Sequence, residues 1–239
     1  MNPALLLLTD SRLPAGGHAH SGGAERAIAS GAVGDVPSLA AFLRGRLHTT
    51  GTATAALTAA ACAEADTHSR PGATLDAEAG AHSRPWVALD AEVDARTASP
   101  AQREASRTQG RLLLRVARRV WPSPALDGLA RAVPSPHHPI ALGVAAHAAG
   151  ATPEEAALAA AYHAVSGPAT AAVRLLGLDP VAVHGLLADL APDLAAVAAR
   201  ARLATAGPPH WEALPAGSAP ALDLIAEQHA QAAVRLFVS

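Results

Sequence analysis

Residues 99–120 read SPAQREASRTQGRLLLRVARRV, and this run decides the fold class. Ser99 stands before Pro100, with Gln102 three positions on. That is the pattern of a capping box, in which the hydroxyl satisfies an orphan backbone N–H, Pro occupies the first helical position and Gln reaches back. Beyond it Arg103, Arg107, Arg111, Arg115 and Arg119 recur every fourth residue, with Arg118 beside them. At the helical angle this stripe sweeps roughly 160° of one side. Leu112, Leu113, Val116 and Val120 fall on the other side. A period of four suits a helix and cannot be read as the two-residue alternation of a strand, so the pattern predicts a helix from Ser99 to about Val120.

The same punctuation recurs outward from that run. Thr152-Pro153-Glu154-Glu155 forms a second capping box, Asp179-Pro180 offers a third N-terminus, and Gly31, Gly150 and Gly177 stand where helices should stop. Leu39, Phe42, Leu43 and Leu47 keep helical spacing, as do Leu222, Ile225 and His229. No stretch alternates as a strand would. Half of the 239 residues are apolar, mostly the strong helix former Ala, and only 3% are aromatic. The expectation is an all-α protein, a single domain over residues 1–239 built as a bundle of about ten helices. One segment breaks the pattern: residues 68–81 (HSRPGATLDAEAGA) and 82–95 (HSRPWVALDAEVDA) are a tandem near-duplication. Two short copies cannot form a solenoid, so 68–95 reads as an insertion in an exposed connection.

Composition also excludes function classes. A net charge of −2 gives no general basic face for nucleic acid. Cys62 is the only cysteine, which rules out an internal disulfide and a zinc finger. The opening residues lack a positive region and their apolar run stops at Leu8, so no signal peptide, no membrane span and a cytoplasmic location are expected. All eighteen basic residues are Arg. Without Lys there is no standard P-loop and no Schiff-base chemistry.

Residues 13–25, LPAGGHAHSGGAE, are the densest unusual stretch, and their four glycines point to a tight backbone path or close approach by another chain. His18 and His20 could bind a metal, although no third ligand stands at ligand spacing nearby; the plainer alternative is two loop histidines that pack and hydrogen-bond. His137 and His138 are adjacent and so face different ways, which makes a shared ion awkward. Ser21 lacks the first Gly and the preceding strand of a nucleophile elbow, so no catalytic residue is expected. The Arg stripe is either a solvated face or a docking face for an acidic partner, in which Arg107 and Arg111 would take part.

Taken together, several motifs resemble the UreF family of urease accessory proteins. Leu13, Pro14, Gly16, Ser21, Gly23 and Glu25 match its N-terminal loop. Ser106, Gly110, Leu112 and Leu113 match a middle motif, and His138, Pro139 and Gly143 a later one, followed by Tyr162, Ser166, Arg174 and Leu175. His229 and Arg235-Leu236-Phe237, closing on Ser239, match the family's histidine helix and arginine-leucine-phenylalanine ending. Where this chain has His18 and Ala24, many relatives carry an aromatic and a Leu, and the 14-residue duplication is extra.

The resemblance implies an all-α homodimer without an active site or cofactor of its own. It implies binding to the UreD (UreH) scaffold, recruitment of the UreG GTPase and help in inserting nickel into apo-urease. Ser21, Glu25, His229, Arg235, Leu236 and Phe237 are then candidate partner-binding residues, in a segment of about 229–239. A different class, a nickel carrier working through its histidines, remains open beside it.

Lacking a P-loop lysine, the purified chain is expected neither to bind nor to hydrolyse GTP. Titration with a fluorescent GTP analogue checks this, and micromolar binding would overturn it.

Overall fold

The computed structural model describes residues 2–69, 79–205, 211–237 and 239, and of 79–83 the backbone. The described residues form α1 (Pro3–Thr9), α2 (Ala24–Ala29), α3 (Val36–Arg46), α4 (Thr52–Ser69), α5 (Ala79–Arg96), α6 (Pro100–Val120), α7 (Pro124–Ala132), α8 (His138–Ala148), α9 (Pro153–Leu176), α10 (Pro180–Asp189), α11 (Ala191–Ala204) and α12 (Pro220–Ala230). No strand occurs among them, so the chain is all-α as expected. A π-helical turn at Leu47–Gly51 carries α3 directly into α4. There the hydroxyl of Thr52 donates to the carbonyl of Leu47, five residues back.

Expected helix ends are found where the backbone chemistry puts them. Gly31, Gly150 and Gly177 all adopt positive φ just past α2, α8 and α9. Thr152 and Glu155 close a reciprocal capping box on α9. At α6 the box is only half as predicted. Ser99 accepts from the N–H of Gln102, but the second carboxyl-like partner is Glu227 of α12, which accepts from the Ser99 hydroxyl at 2.5 Å and from the Ala101 N–H at 2.9 Å. A tertiary contact has taken over the role assigned to a local one, because an ionised carboxylate is the stronger acceptor.

The core is centred on α8, whose residues Pro139–Ala146 are all buried. A helix buried all round lies inside a bundle rather than on its edge. It packs against α4, where Ala55, Ala56, Leu57, Thr58, Ala59, Ala60, Ala61 and Cys62 are buried in turn, and against α6 and α9. Two glycines set how closely these helices approach. A Cβ at Gly143 would overlap the Thr58 carbonyl oxygen and come within 2.7 Å of the Ala61 Cβ. One at Gly110 of α6 would overlap the Pro136 carbonyl oxygen and lie 2.9 Å from the His138 nitrogen. Cys62 lies in this seam with its thiol toward the Ala151 carbonyl, and burial pushes its pKa up to about 12. It is a packing residue, not a nucleophile.

The duplicated segment divides between helix and undescribed residues. Residues 70–78 of the first copy lie outside the described residues. The second copy is not an exposed connection: within α5, Trp86 and Leu89 are fully buried and Val93 nearly so. The expectation of a surface insertion therefore fails for residues 86–95. Helical spacing at 86, 89, 90 and 93 turns one face of this copy into the core, opposite α7 and α4.

Because neither the Thr58 backbone nor the Ala61 side chain can swing aside, Gly143→Ala should lower stability by about 1–3 kcal/mol through overpacking. Chemical denaturation measures it; an unchanged midpoint would show that α4 and α8 can separate without loss.

Candidate functional site

The N-terminal loop and the C-terminal segment meet on one side of α9. Their positions depend on a proline. Pro168 lies inside α9 and has no N–H for the Ala164 carbonyl. Arg46 of α3 supplies one, its Nε donating to that oxygen at 3.0 Å, and burial draws its pKa down to about 10. Gly22 then passes so near that a Cβ would stand 2.9 Å from Pro168 and 3.3 Å from the Arg46 guanidinium. Its φ of 60° and the 90° of Gly23 turn the chain into α2.

This turn presents Ser21 and Glu25 to the C-terminal segment. The Ser21 N–H and hydroxyl both donate to the Ser239 carbonyl, at 2.5 and 3.0 Å. The Glu25 carboxylate accepts two successive backbone N–H groups, Leu236 at 2.7 Å and Phe237 at 3.1 Å. His229, buried at the end of α12, bonds the Phe237 carbonyl through Nε2 at 3.2 Å, and a carbonyl only accepts, so that nitrogen carries the proton. Its Nδ1 lies 3.7 Å from Glu25. The Phe237 ring fills a small pocket with Ala24 and Ala171, beside Phe42 and Leu175 and under the Arg174 guanidinium at 5.2 Å.

Five residues singled out in the sequence thus come together here: Ser21, Glu25, His229, Leu236 and Phe237. They differ in direction. Phe237 is 8% exposed, whereas Leu236 is 73% and Val234 83% exposed, with Arg235 exposed between them. The C-terminal segment, a candidate for partner binding, has a seat on its own chain, because Glu25 and Ser21 satisfy its backbone. Ala24, with only a methyl group, leaves room for the Phe237 ring.

His18 and His20 part company. His18 is exposed on a short turn at Gly17–Ala19, while His20 is buried with Nδ1 at 2.6 Å from the Ser239 hydroxyl. The pair does not by itself form a ligand set.

The Arg stripe also divides. It winds by 40° at each step of four, so Arg107 faces α5 and Arg111 does not. Arg107 donates to Asp90 at 3.0 Å, to Asp94 at 2.6 Å and to the Ser135 carbonyl at 2.9 Å. Asp90 also accepts the His137 N–H, and Asp94 the His137 Nε2, at 2.8 and 2.9 Å. Asp90, Asp94 and His137 have the look of a metal centre. All four carboxylate oxygens are already engaged, however, and the guanidinium occupies the cation's place. Burial works against the charge on Asp94, but the His137 and Arg107 contacts outweigh it and hold its carboxyl below the usual range. Burial, the largest influence, pushes the His137 pKa below its usual value. This latch joins α5, α6 and the start of α8, and sequence reading missed it because its members are up to 47 positions apart. Arg107 is accordingly not a free docking residue, while Arg111, Arg115 and Arg119 stay exposed.

The sequence profile of the UreF family matches residues 33–191. The chain belongs to the UreF family. It is 45% identical over 235 residues to the urease accessory protein UreF of Mycolicibacterium vanbaalenii, covering 98% of this chain and 97% of that protein. The UreF proteins of Mycobacterium sp. strain JLS and Mycobacterium marinum are 43% and 42% identical, each with 98% of this chain and 97% of the relative covered. The N-terminal loop and the C-terminal clasp both lie outside the stretch that the UreF profile matches. Among the described residues no single helix is long and apolar enough to cross a membrane.

On a solvated or docking face both stripe arginines would tolerate charge reversal without loss of stability. The latch changes this for one of them: Arg107→Glu should cost about 3 kcal/mol or more, because it leaves buried Asp90 unpaired, whereas Arg111→Glu should cost under about 0.5 kcal/mol. Urea denaturation of the two variants side by side checks it, and equal midpoints would sink the latch.

Proposed function

We propose that the chain is a non-enzymatic accessory protein of urease maturation, working in the cytoplasm. It acts as a homodimer that binds a UreD (UreH) scaffold, recruits the UreG GTPase and helps nickel enter apo-urease. Family membership supports the maturation role, and the named partners follow from the family resemblance. The observation that carries the site is the division within the C-terminal segment. Glu25, Ser21 and His229 hold the backbone of Leu236, Phe237 and Ser239 while the side chains of Arg235 and Leu236 stand in solvent. An Arg beside an exposed Leu, on a backbone already held, supports a recognition point: Arg is enriched at hot spots, and a held backbone has less entropy to lose on binding. The clasp is the pedestal, and Arg235 with Leu236 is what it displays. Arg111 and its exposed neighbours on α6 provide a second, charge-based surface for an acidic partner.

Arg235 makes no described ion pair, so Arg235→Ala should leave helicity and thermal midpoint unchanged. It should lower capture of the GTPase and urease activation by about tenfold, the effect of losing a modest hot spot. Size-exclusion chromatography of the mixed proteins and a urease activation assay measure these. Full assembly and activation by the variant would refute the role given to Arg235.

A further inference from the structure

The solvent edge of α6 is strongly basic, and half of its arginines lack a partner. The helix holds six arginines and a single acid, Glu104, a formal charge of +5 in a chain whose net charge is −2, so everything outside it sums to −7. Three of the six are occupied. Arg103 donates to the Thr97 carbonyl at 2.8 Å, Arg107 closes the latch, and Arg118 pairs with Asp127 at 2.8 Å. Arg111, Arg115 and Arg119 are exposed, and among the described residues no carboxylate or carbonyl meets their side chains.

That arrangement costs stability. Like charges four positions apart on a helix repel, and Arg115 faces one such neighbour in each direction. Arg119 stands in the last turn, where the helix dipole favours a cation. Arg111 and Arg115 lie further in and have no such compensation. A solvated helix face commonly alternates the two signs at this spacing. Here the positions three and four residues to either side of 111, 115 and 119 hold no acid at all.

The geometry suits one kind of partner. Four residues rise about 6 Å along a helix and wind it by about 40°. The three arginines therefore form a slanted row, with buried Leu113, Leu114 and Ala117 turned to the core. Rows of every fourth residue on two helices run parallel when their axes cross at about −50°, the commonest class of helix packing. A row of carboxylates with that period meets each arginine in turn, and the planar guanidinium takes a carboxylate through two N–H groups. Exposed ion pairs contribute little each, so an apolar contact is needed beside them. Exposed Val120 and part-buried Trp121 stand where the row ends. Arg and Trp are the residue types most enriched at binding hot spots. No aromatic is interleaved along 111–119 to stack nucleic-acid bases.

We propose that Arg111, Arg115 and Arg119, with Val120 at the end of the row, dock an acidic helix of a partner protein whose carboxylates recur every fourth residue. The partner supplies the negative charge that α6 itself lacks, and docking relieves the repulsion among the three arginines. This rests on the reading of α6 as a second docking surface. It adds the form of the occupant: a helix with a defined charge period.

The test uses the full chain at low ionic strength. The probe is a fluorescein-labelled, alanine-based helical peptide with Glu at every fourth position and one Leu near its end, followed by anisotropy. Saturable binding of one peptide per chain is expected. Affinity should fall about tenfold or more between roughly 10 and 150 mM salt, as the screening length drops from about 30 to about 8 Å. The double variant Arg111→Glu with Arg115→Glu should bind at least about tenfold more weakly. Arg111→Gln with Arg115→Gln, which keeps good helix formers, decides if the first pair fails to fold. Arg200→Glu, an exposed residue of α11, should leave binding unchanged. A peptide of the same composition with its Glu residues gathered in one block should bind at least about fivefold more weakly. The proposal is overturned if wild type ignores the spaced peptide or if folded double variants bind it as tightly. It is overturned equally if the block peptide, single-stranded oligothymidine or anionic lipid vesicles bind as well, since α6 would then be a general polyanion surface. Capture of the scaffold, the GTPase and apo-urease tests the underlying reading separately. If wild type captures them yet ignores the peptide, the acidic-helix proposal falls and the accessory function stands. If a double variant that has lost the peptide captures all of them fully, the edge recognises an acidic helix outside urease maturation.

Discussion

The contact between α4 and α8 fixes the distance scale of the molecule. Gly143 has no side chain where the Thr58 carbonyl comes down on it, and Ala flanks this point on both helices. Helices that meet through small residues gain dispersion contacts along their backbones, since close packing depends on near approach. Large side chains could not fill such a seam, which accounts for a core built mainly of Ala and Leu. The position of α8 in turn sets Pro136, His137 and His138 against Gly110 of α6. The ionic latch closes on this junction, through the His137 N–H and ring.

The latch shows how a charge network can resemble a metal site without being one. Two carboxylates and an imidazole within reach of each other invite a cation, and Arg107 is that cation. It also gives meaning to the differences between the two repeat copies. Where the second copy has Trp86, Val93 and Asp94, the first has Gly72, Ala79 and Gly80. The core ring, a core aliphatic and one carboxylate of the latch are thus found only in the second copy. The two copies are unequal in physical role however similar they look.

The C-terminal segment is held mainly through its backbone. Glu25 accepts two N–H groups, Ser21 donates two bonds to one carbonyl, and His229 donates to another. Backbone recognition leaves side chains free, so residues 234–236 can vary in what they display without disturbing the seat. Among the described residues the side chains of Phe237, in its pocket, and Ser239, on His20 Nδ1, serve as anchors. Ala24 and Ala171 are small and leave room for the Phe237 ring, and the Arg174 guanidinium covers it.

Much of the fold was legible in the sequence. Period-four charge on 99–120, Thr152 with Glu155, and glycines 31, 150 and 177 are local signals whose physics acts within a few residues. They determine helices and their ends wherever the chain lies. The family motifs likewise marked Ser21, Glu25, His229 and Phe237 before any geometry was known. Tertiary structure decided the rest. It brought Glu227 to cap α6 in place of Gln102, turned Arg107 inward while Arg111 stayed outside, and made the second repeat copy part of the core. It also separated Phe237 from Leu236, adjacent residues with opposite surroundings. Each of these depends on which groups meet across distances of tens to hundreds of positions. Periodicity records only a residue's own helix, and a partner that far away leaves no mark on it.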